Sequence, residues 1–412
     1  MTTLTDGVSE SAADLPEERP GGLREFAGRY APPVLVYAGV KLLGLLVFFK
    51  LLAYSGTYLK NNPRFGGGQH VWDVLGSWDG WWYVQVAEKG YHPALVPLPG
   101  NGVFTMEQNS VAFFPLYPAL MRIVSSVTGL GSYGAGMLVS VLASLVAAAG
   151  IYALTDRLYG RRAGILAAGL WAVFPGAGVA WSLYSESLFT AFAAWACWAV
   201  VTRRWTAAGL LTLFAGLTRP SASVLVVAVC AAALVALYRR DDGLRPLSGL
   251  LLAPVGFVGY LAWASWKLGS VTGYFTLQER AWAHKVDWGY NLFRAVRGLG
   301  LGRYDYLFPY PIEDLIALAV TLALPFLLLA YFRLRPPLVL TVYTLLTLAQ
   351  IYLSLQMMGT VNRFLLPVFP LLLPLALALR KLPRAQQAAV LVLLGALSGW
   401  YASYALFNLG IP

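Results

Sequence analysis

The residues best placed for chemistry lie at 76–91, reading GSWDGWWYVQVAEKGY. One carboxylate, Asp79, sits there among Trp78, Trp81, Trp82 and Tyr83. Only 12% of the chain is charged, so an acid in so aromatic a setting calls for a reason. If 80–89 is helical, Trp82, Tyr83 and Val86 follow Asp79 at helical spacing and share its face. A carboxylate so placed can take a proton from a weak nucleophile. The rings beside it can stack on a sugar or sit at a membrane surface. The alternative from spacing alone is that Ser77 or Asp79 caps the helix and the tryptophans form an interfacial belt.

Four further places hold polar groups between apolar runs. In WSLYSESL, Glu186 is either a second functional acid or, with Ser185, the cap of the next helix. In LTRPSA, Arg219 stands where a helix over 205–218 meets its successor, with Pro220 as the first residue of that successor. An arginine at membrane level needs an acid or an anionic ligand; Glu186 is one partner and a lipid phosphate the other. The loop over 269–311 gathers Gln278, Glu279, Arg280, Trp282, His284, Lys285, Asp287 and Trp288, followed by Arg294, Arg297 and Arg303. Its guanidinium groups either face solvent and headgroups or hold an anion such as a lipid phosphate. In GTVNRFLLP, Arg363 closes a span and suits a phosphate or an internal acid.

Several chemistries have no support. His70, His92 and His284 lack zinc-ligand spacing, and no metal ligand set is read from the sequence. Cys197 and Cys230 fall inside apolar runs and read as small buried hydrophobes. No Walker loop and no GxGxxG after a strand occurs, so no nucleotide or other organic cofactor is expected.

The elements that must position these groups are membrane helices. With 58% hydrophobic residues among 412 and a mean hydropathy of +0.63, the chain is an all-α polytopic membrane protein. Expected crossings lie at about 33–58, 135–156, 163–181, 184–201, 205–218, 220–238, 247–267, 314–332, 337–356, 363–380 and 387–407, about eleven in all. Lys41 interrupts the first and either snorkels inward or marks a later start. The run 113–128 is short and carries two prolines, so it reads as an interfacial or re-entrant helix under a long loop over 55–134. Residues 1–22 are polar, acidic and Pro/Gly-containing, which predicts a disordered cytoplasmic tail rather than a signal peptide.

The net charge of +11 does not point to nucleic acid. Its arginines fall in tight clusters between apolar runs, as the positive-inside rule requires of cytoplasmic loops. With the amino terminus inside and 113–128 not crossing, the clusters at 157–162, 203–204, 239–245, 333–335 and 380–384 all fall inside. Asp79, Glu186, Arg219, the 268–313 loop and Arg363 then share one extracytoplasmic face.

Taken in order, WDGWWYVQVAEKGY, AFFPLYPALMR, LYSESLF, LTRPSA, QERAW and NRFLLPVFP resemble the bacterial PIG-V-like mannosyltransferases, relatives of the GPI second-mannose enzyme within the GT-C glycosyltransferases. The resemblance spans roughly 71–370. It implies a GT-C bundle in a bacterial plasma membrane that moves a sugar, usually mannose, from a polyprenyl phosphate to a lipid or glycan hydroxyl. It places the catalytic acid in the first outer loop, a role that falls on Asp79. The DxD motif of some relatives is absent, since Asp73 and Asp79 are too far apart, so the resemblance leaves a divalent metal open. Arg219, Gln278, Arg280 and Arg363 are then candidates for the donor phosphate, and Trp78, Trp82, Tyr83, Glu186, Trp282 and His284 for the sugar or lipid pocket. A flippase for a lipid-linked sugar is the rival from another class; it predicts two repeated halves with broken helices at mid-membrane. No such repeat is seen. Another sugar or a protein acceptor is the rival within the enzyme class, and oligomeric state is not legible.

Overall fold

The computed structural model describes residues 23–100, 104–302, 312–354 and 358–404. The expected tail over 1–22, and Arg303, lie outside the described residues. Apolar runs this long satisfy their backbone most cheaply as helix. Among the described residues the only strand-like pairings are two isolated bridges, Pro97 with Met106 and Val286 with Ser354.

The chain opens with the long helix α1 (Leu23–Ser55). Short 3-10 turns lead to α2 (Asp79–Lys89), and an extended stretch leads to α3 (Leu116–Thr128). Then come α4 (Ser132–Tyr159) and α5 (Arg161–Ala172), followed by a 3-10 helix, Pro175–Trp181. The central helices are α6 (Glu186–Val201), α7 (Trp205–Gly216), α8 (Ala222–Arg239), α9 (Pro246–Leu252) and α10 (Val255–Lys267). Two surface helices follow, α11 (Gly273–Trp282) and α12 (Tyr290–Gly300). The chain closes with α13 (Ile312–Arg333), α14 (Leu338–Tyr352), the single turn α15 (Val361–Phe364), α16 (Leu372–Leu379) and α17 (Arg384–Tyr401).

Six helices are long and apolar enough to cross a bilayer, or seven if α5 and the 3-10 helix after it, bent by 83°, count as one span. Four more expected crossings fall on shorter apolar helices, Glu186–Val201, Trp205–Gly216, Leu338–Tyr352 and Phe369–Leu379, so length alone does not reach eleven. Part of the physical reason is proline: Pro175, Pro367 and Pro370 each remove a backbone donor and interrupt runs, 163–181 and 363–380, that composition reads as continuous. Arg203 and Arg204 part the short helices Glu186–Val201 and Trp205–Gly216. Helix α3 is 13 residues long, buries Tyr117 and Met121 and exposes Ile123 and Val127.

Lys41 departs from both sequence expectations. Helix α1 begins at Leu23, well before it, and the side chain is buried rather than snorkelling. Its ammonium donates to the Ala177 carbonyl in the bent 3-10 segment. An acceptor freed from the regular helix ladder is what lets a cation stay at this depth.

Packing separates two ends of the molecule. At one, Arg29 pairs with Asp156 at 3.3 Å, while Arg161 donates to Gly28, Arg162 to Leu382 and Arg380 to Tyr159 carbonyls. At the other, Tyr133 at the start of α4 bonds the Trp72 carbonyl, just before the Asp79 stretch. Helix α4 has 28 residues, about 42 Å at 1.5 Å per residue, and holds these ends a bilayer apart. Its face of Gly136, Ser140, Ala143 and Ala147 is small enough for α3 and α6 to approach closely.

Candidate active site

Asp79 is the first residue of α2, where a carboxylate meets the positive end of the helix dipole. The chain arrives there through Trp78, whose φ of 54° and ψ of −115° are costly for a bulky side chain. Its N–H donates to the Arg64 carbonyl at 2.8 Å, and its ring packs on Phe65 at 5.2 Å, which hold the turn. No side chain caps α2. Ser77 Oγ turns back to the Val74 carbonyl at 2.5 Å, and Asp79 Oδ2 is taken by Arg363 Nη2.

The turn at 182–185 fixes α2 from below. Leu183 N–H donates to the Leu75 carbonyl at 2.9 Å, and Tyr83 hydroxyl donates to Ser185 Oγ at 2.7 Å. Gly80 permits this: a Cβ there would lie 3.1 Å from the Leu183 side chain and 3.3 Å from its carbonyl oxygen. With Ser185 bonded to Tyr83, α6 also lacks a side-chain cap, and Glu186 is free to face the interior.

Glu186 organises what lies beneath. Its Oε1 accepts from Arg363 Nε at 2.5 Å and lies 2.9 Å from Arg219 Nη1. The second contact is a charge pair without hydrogen-bond alignment, and Glu186 Oε2 has no hydrogen-bond partner among the described residues. Arg363 also lies over the Tyr184 ring at 4.5 Å. Together the four groups form a chain, Asp79–Arg363–Glu186–Arg219, two acids and two guanidiniums with no formal net charge. Buried charges of this kind cost desolvation and persist when mutually paired. Side-chain exposure ranks them: 0% for Glu186, 7% for Arg363, 9% for Arg219 and 29% for Asp79. Only Asp79 opens outward.

That ranking places the sequence candidates. Glu186 is sealed from solvent. Arg219 and Arg363 take the acid partner, the first of the two alternatives open to each, Glu186 being the partner named for Arg219 from the sequence. Tyr83 is buried between Phe113, at 5.1 Å, and Tyr117, at 4.8 Å, so it forms the floor and not the lining. The reason is shared: a cation or hydroxyl at membrane depth finds the nearest internal partner.

Other candidates gather on α11. Gln278 Nε2 donates to the Tyr274 hydroxyl at 3.0 Å, and its Oε1 lies 3.1 Å from His284 Nδ1. His284 is within electrostatic reach of Asp79 and Arg363. Trp282 stacks edgewise on Trp82 at 5.7 Å and on Phe113 at 5.4 Å, and its indole N–H has no partner among the described residues. Arg280 is exposed; its carbonyl receives Thr105 and Met106 N–H groups, and its guanidinium is unpaired among the described residues. No group of three or more His, Cys, Asp or Glu side chains suited to a metal occurs among the described residues.

Sequence reading placed Tyr184–Glu186 on the shared face but gave Tyr184 no role, and it missed Arg64. Arg64 lies over Trp81 at 4.9 Å and Trp82 at 5.2 Å, and donates to Gln108 Oε1 at 2.6 Å. It is a lone arginine in a polar loop, outside any basic cluster.

Comparison with known proteins adds the following. Residues 112–266, from the start of the AFFPLYP stretch to α10, match the family of dolichyl-phosphate-mannose-protein mannosyltransferases. ArnT from Cupriavidus metallidurans, solved bound to undecaprenyl phosphate, is 16% identical with a TM-score of 0.50, over 86% of this chain and 61% of that one. The oligosaccharyltransferase of Archaeoglobus fulgidus, tethered to an acceptor peptide, is 13% identical with a TM-score of 0.48, over 94% of this chain and 56% of that one. The chain thus has a GT-C-like fold and spans about three-fifths of the length of the ArnT structure. No curated protein matches the sequence.

Proposed function

We propose, from a chain with this fold and a mannosyltransferase-family segment, that it transfers mannose from a polyprenyl-phosphate mannose to a hydroxyl of a glycolipid or glycan. The observation that carries this is the exposure of Asp79 at the end of an otherwise sealed ion-pair chain. The four short apolar helices cross as well in this reading, making eleven spans. The amino terminus is cytoplasmic, and Asp79 faces outward from a bacterial plasma membrane. Kinship with the PIG-V-like mannosyltransferases belongs to the same proposal, supported by the order of the motifs.

The chemistry is a single displacement. Asp79 accepts the proton of the acceptor hydroxyl as its oxygen attacks the anomeric carbon. The bond from that carbon to the phosphate oxygen breaks, and polyprenyl phosphate leaves with the electron pair. The proton passes from Asp79 to water. Attack opposite the leaving group inverts the centre, so a β-linked donor gives an α-mannoside. Arg363, held by Glu186 from behind, fixes the carboxylate's direction. Arg280, exposed and unpaired among the described residues, is the group assigned to the leaving phosphate; Gln278, two residues earlier on α11, points to the other side of that helix, toward Tyr274 and His284. The undecaprenyl phosphate in ArnT supports this class of donor. A protein hydroxyl is the second acceptor reading, favoured by the description of the matched family.

Purified protein in detergent, given radiolabelled polyprenyl-phosphate mannose and envelope lipid extract, is expected to form a mannosylated product without a sealed vesicle. Asp79→Asn is expected to abolish this at unchanged expression and insertion. Near wild-type transfer by that variant removes the base assignment.

A further inference from the structure

Beside the catalytic end, a cleft of about 310 Å³ runs along α2 between that helix and the 92–96 and 107–110 segments. Trp81, Trp82, Gln85 and Lys89 of α2 line it, a face roughly a quarter-turn round the helix from Asp79. Its size falls within the range of small-ligand sites. The far wall is braced from within. Asn109 donates to the Ala94 carbonyl at 2.5 Å and accepts from Val111 N–H at 2.9 Å, and Ser110 Oγ accepts from His92 N–H at 3.0 Å. Arg64, already bound to Gln108, supports both indoles. By contrast the side chains of Gln85, Lys89, His92 and Glu107 have no hydrogen-bond or ion-pair partner among the described residues. Two indoles set at 86° thus share a pre-formed hollow with uncommitted amide, amine, imidazole and carboxylate groups.

We propose that this cleft binds the saccharide portion of the acceptor. Flat aromatic faces take the apolar face of a pyranose, while amide and carboxylate groups take its hydroxyls. The mixed-charge polar rim is unsuited to a prenyl chain, and Glu107 disfavours a phosphate. Along α2 the cleft begins at Trp81, about 3 Å of helix rise from Asp79, and ends at Lys89, about 15 Å from it. A sugar lying there extends one end toward the carboxylate. The inference rests on the transferase reading and narrows it: the acceptor is a glycan or glycolipid, not a bare peptide.

The test uses the purified full chain in nanodiscs with methyl α-mannobioside as probe, followed by saturation-transfer NMR. Wild type is expected to bind it, Trp81→Ala to weaken binding about tenfold, and Gln85→Ala to weaken it several-fold. Should Trp81→Ala fold poorly, Gln85→Ala decides. Equal binding by wild type and a folded variant, absence of binding up to high millimolar probe, or displacement of the probe by a serine- and threonine-containing peptide overturns the proposal. The donor reading is followed separately by thermal stabilisation with undecaprenyl-phosphate mannose, which both variants are expected to keep. Loss of that stabilisation in wild type would remove the donor and leave the saccharide result standing.

Discussion

Asp79 differs from its three partners in one respect that matters for chemistry: its side chain is the one of the four that is substantially exposed. Neutralising it while keeping its shape, as in Asp79→Asn, is expected to lower transfer by at least about a hundredfold, read as radiolabelled product, with the melting temperature little changed. Glu186 has the opposite signature. Glu186→Gln leaves the buried Arg219 guanidinium without an acid and Arg363 with only the more exposed Asp79, and is expected to destabilise the fold by about 3–5 kcal/mol, read as a lowered melting temperature in detergent. Asp79 was legible in the sequence because a lone acid among tryptophans has few structural uses. Its partnership with Arg363 was not, since 284 residues separate the two and no local pattern encodes such a meeting.

At the scale of elements, the site depends on backbones that approach unusually closely. Arg363 stands on α15, a single turn resting against the 3-10 helix at 175–181. A Cβ on Gly176 would come within 2.2 Å of the Asn362 carbonyl oxygen and 2.8 Å of the Arg363 Cα. Gly176→Ala is therefore expected to shift α15 and cut turnover by about tenfold to a hundredfold, as an ångström-scale misplacement does, while circular dichroism stays helical. Hydropathy located most of the helices, but Pro175 and its 83° bend made a corner where a straight span was expected. The same corner supplies the Ala177 carbonyl that holds Lys41, which explains a charge that periodicity treated as an interruption.

For the whole molecule, the separation of a basic end from the end that holds Asp79 by the length of α4 makes sidedness testable. In intact cells, a membrane-impermeant maleimide is expected to label Lys60→Cys and to spare Lys381→Cys, both exposed positions, above the background of the native Cys197 and Cys230. Labelling of Lys381→Cys alone would invert the topology and place Asp79 in the cytosol. The sequence by itself determined the membrane class, the helical content, the clustering of basic residues and the identity of the exposed acid, because each is written in local composition and spacing. Tertiary structure alone decided between the partners each arginine could have. The sequence leaves an acid or a phosphate open for Arg219 and Arg363, and both turn inward to Glu186, because a charge in a buried site is most stable beside an opposite charge brought to it by another helix.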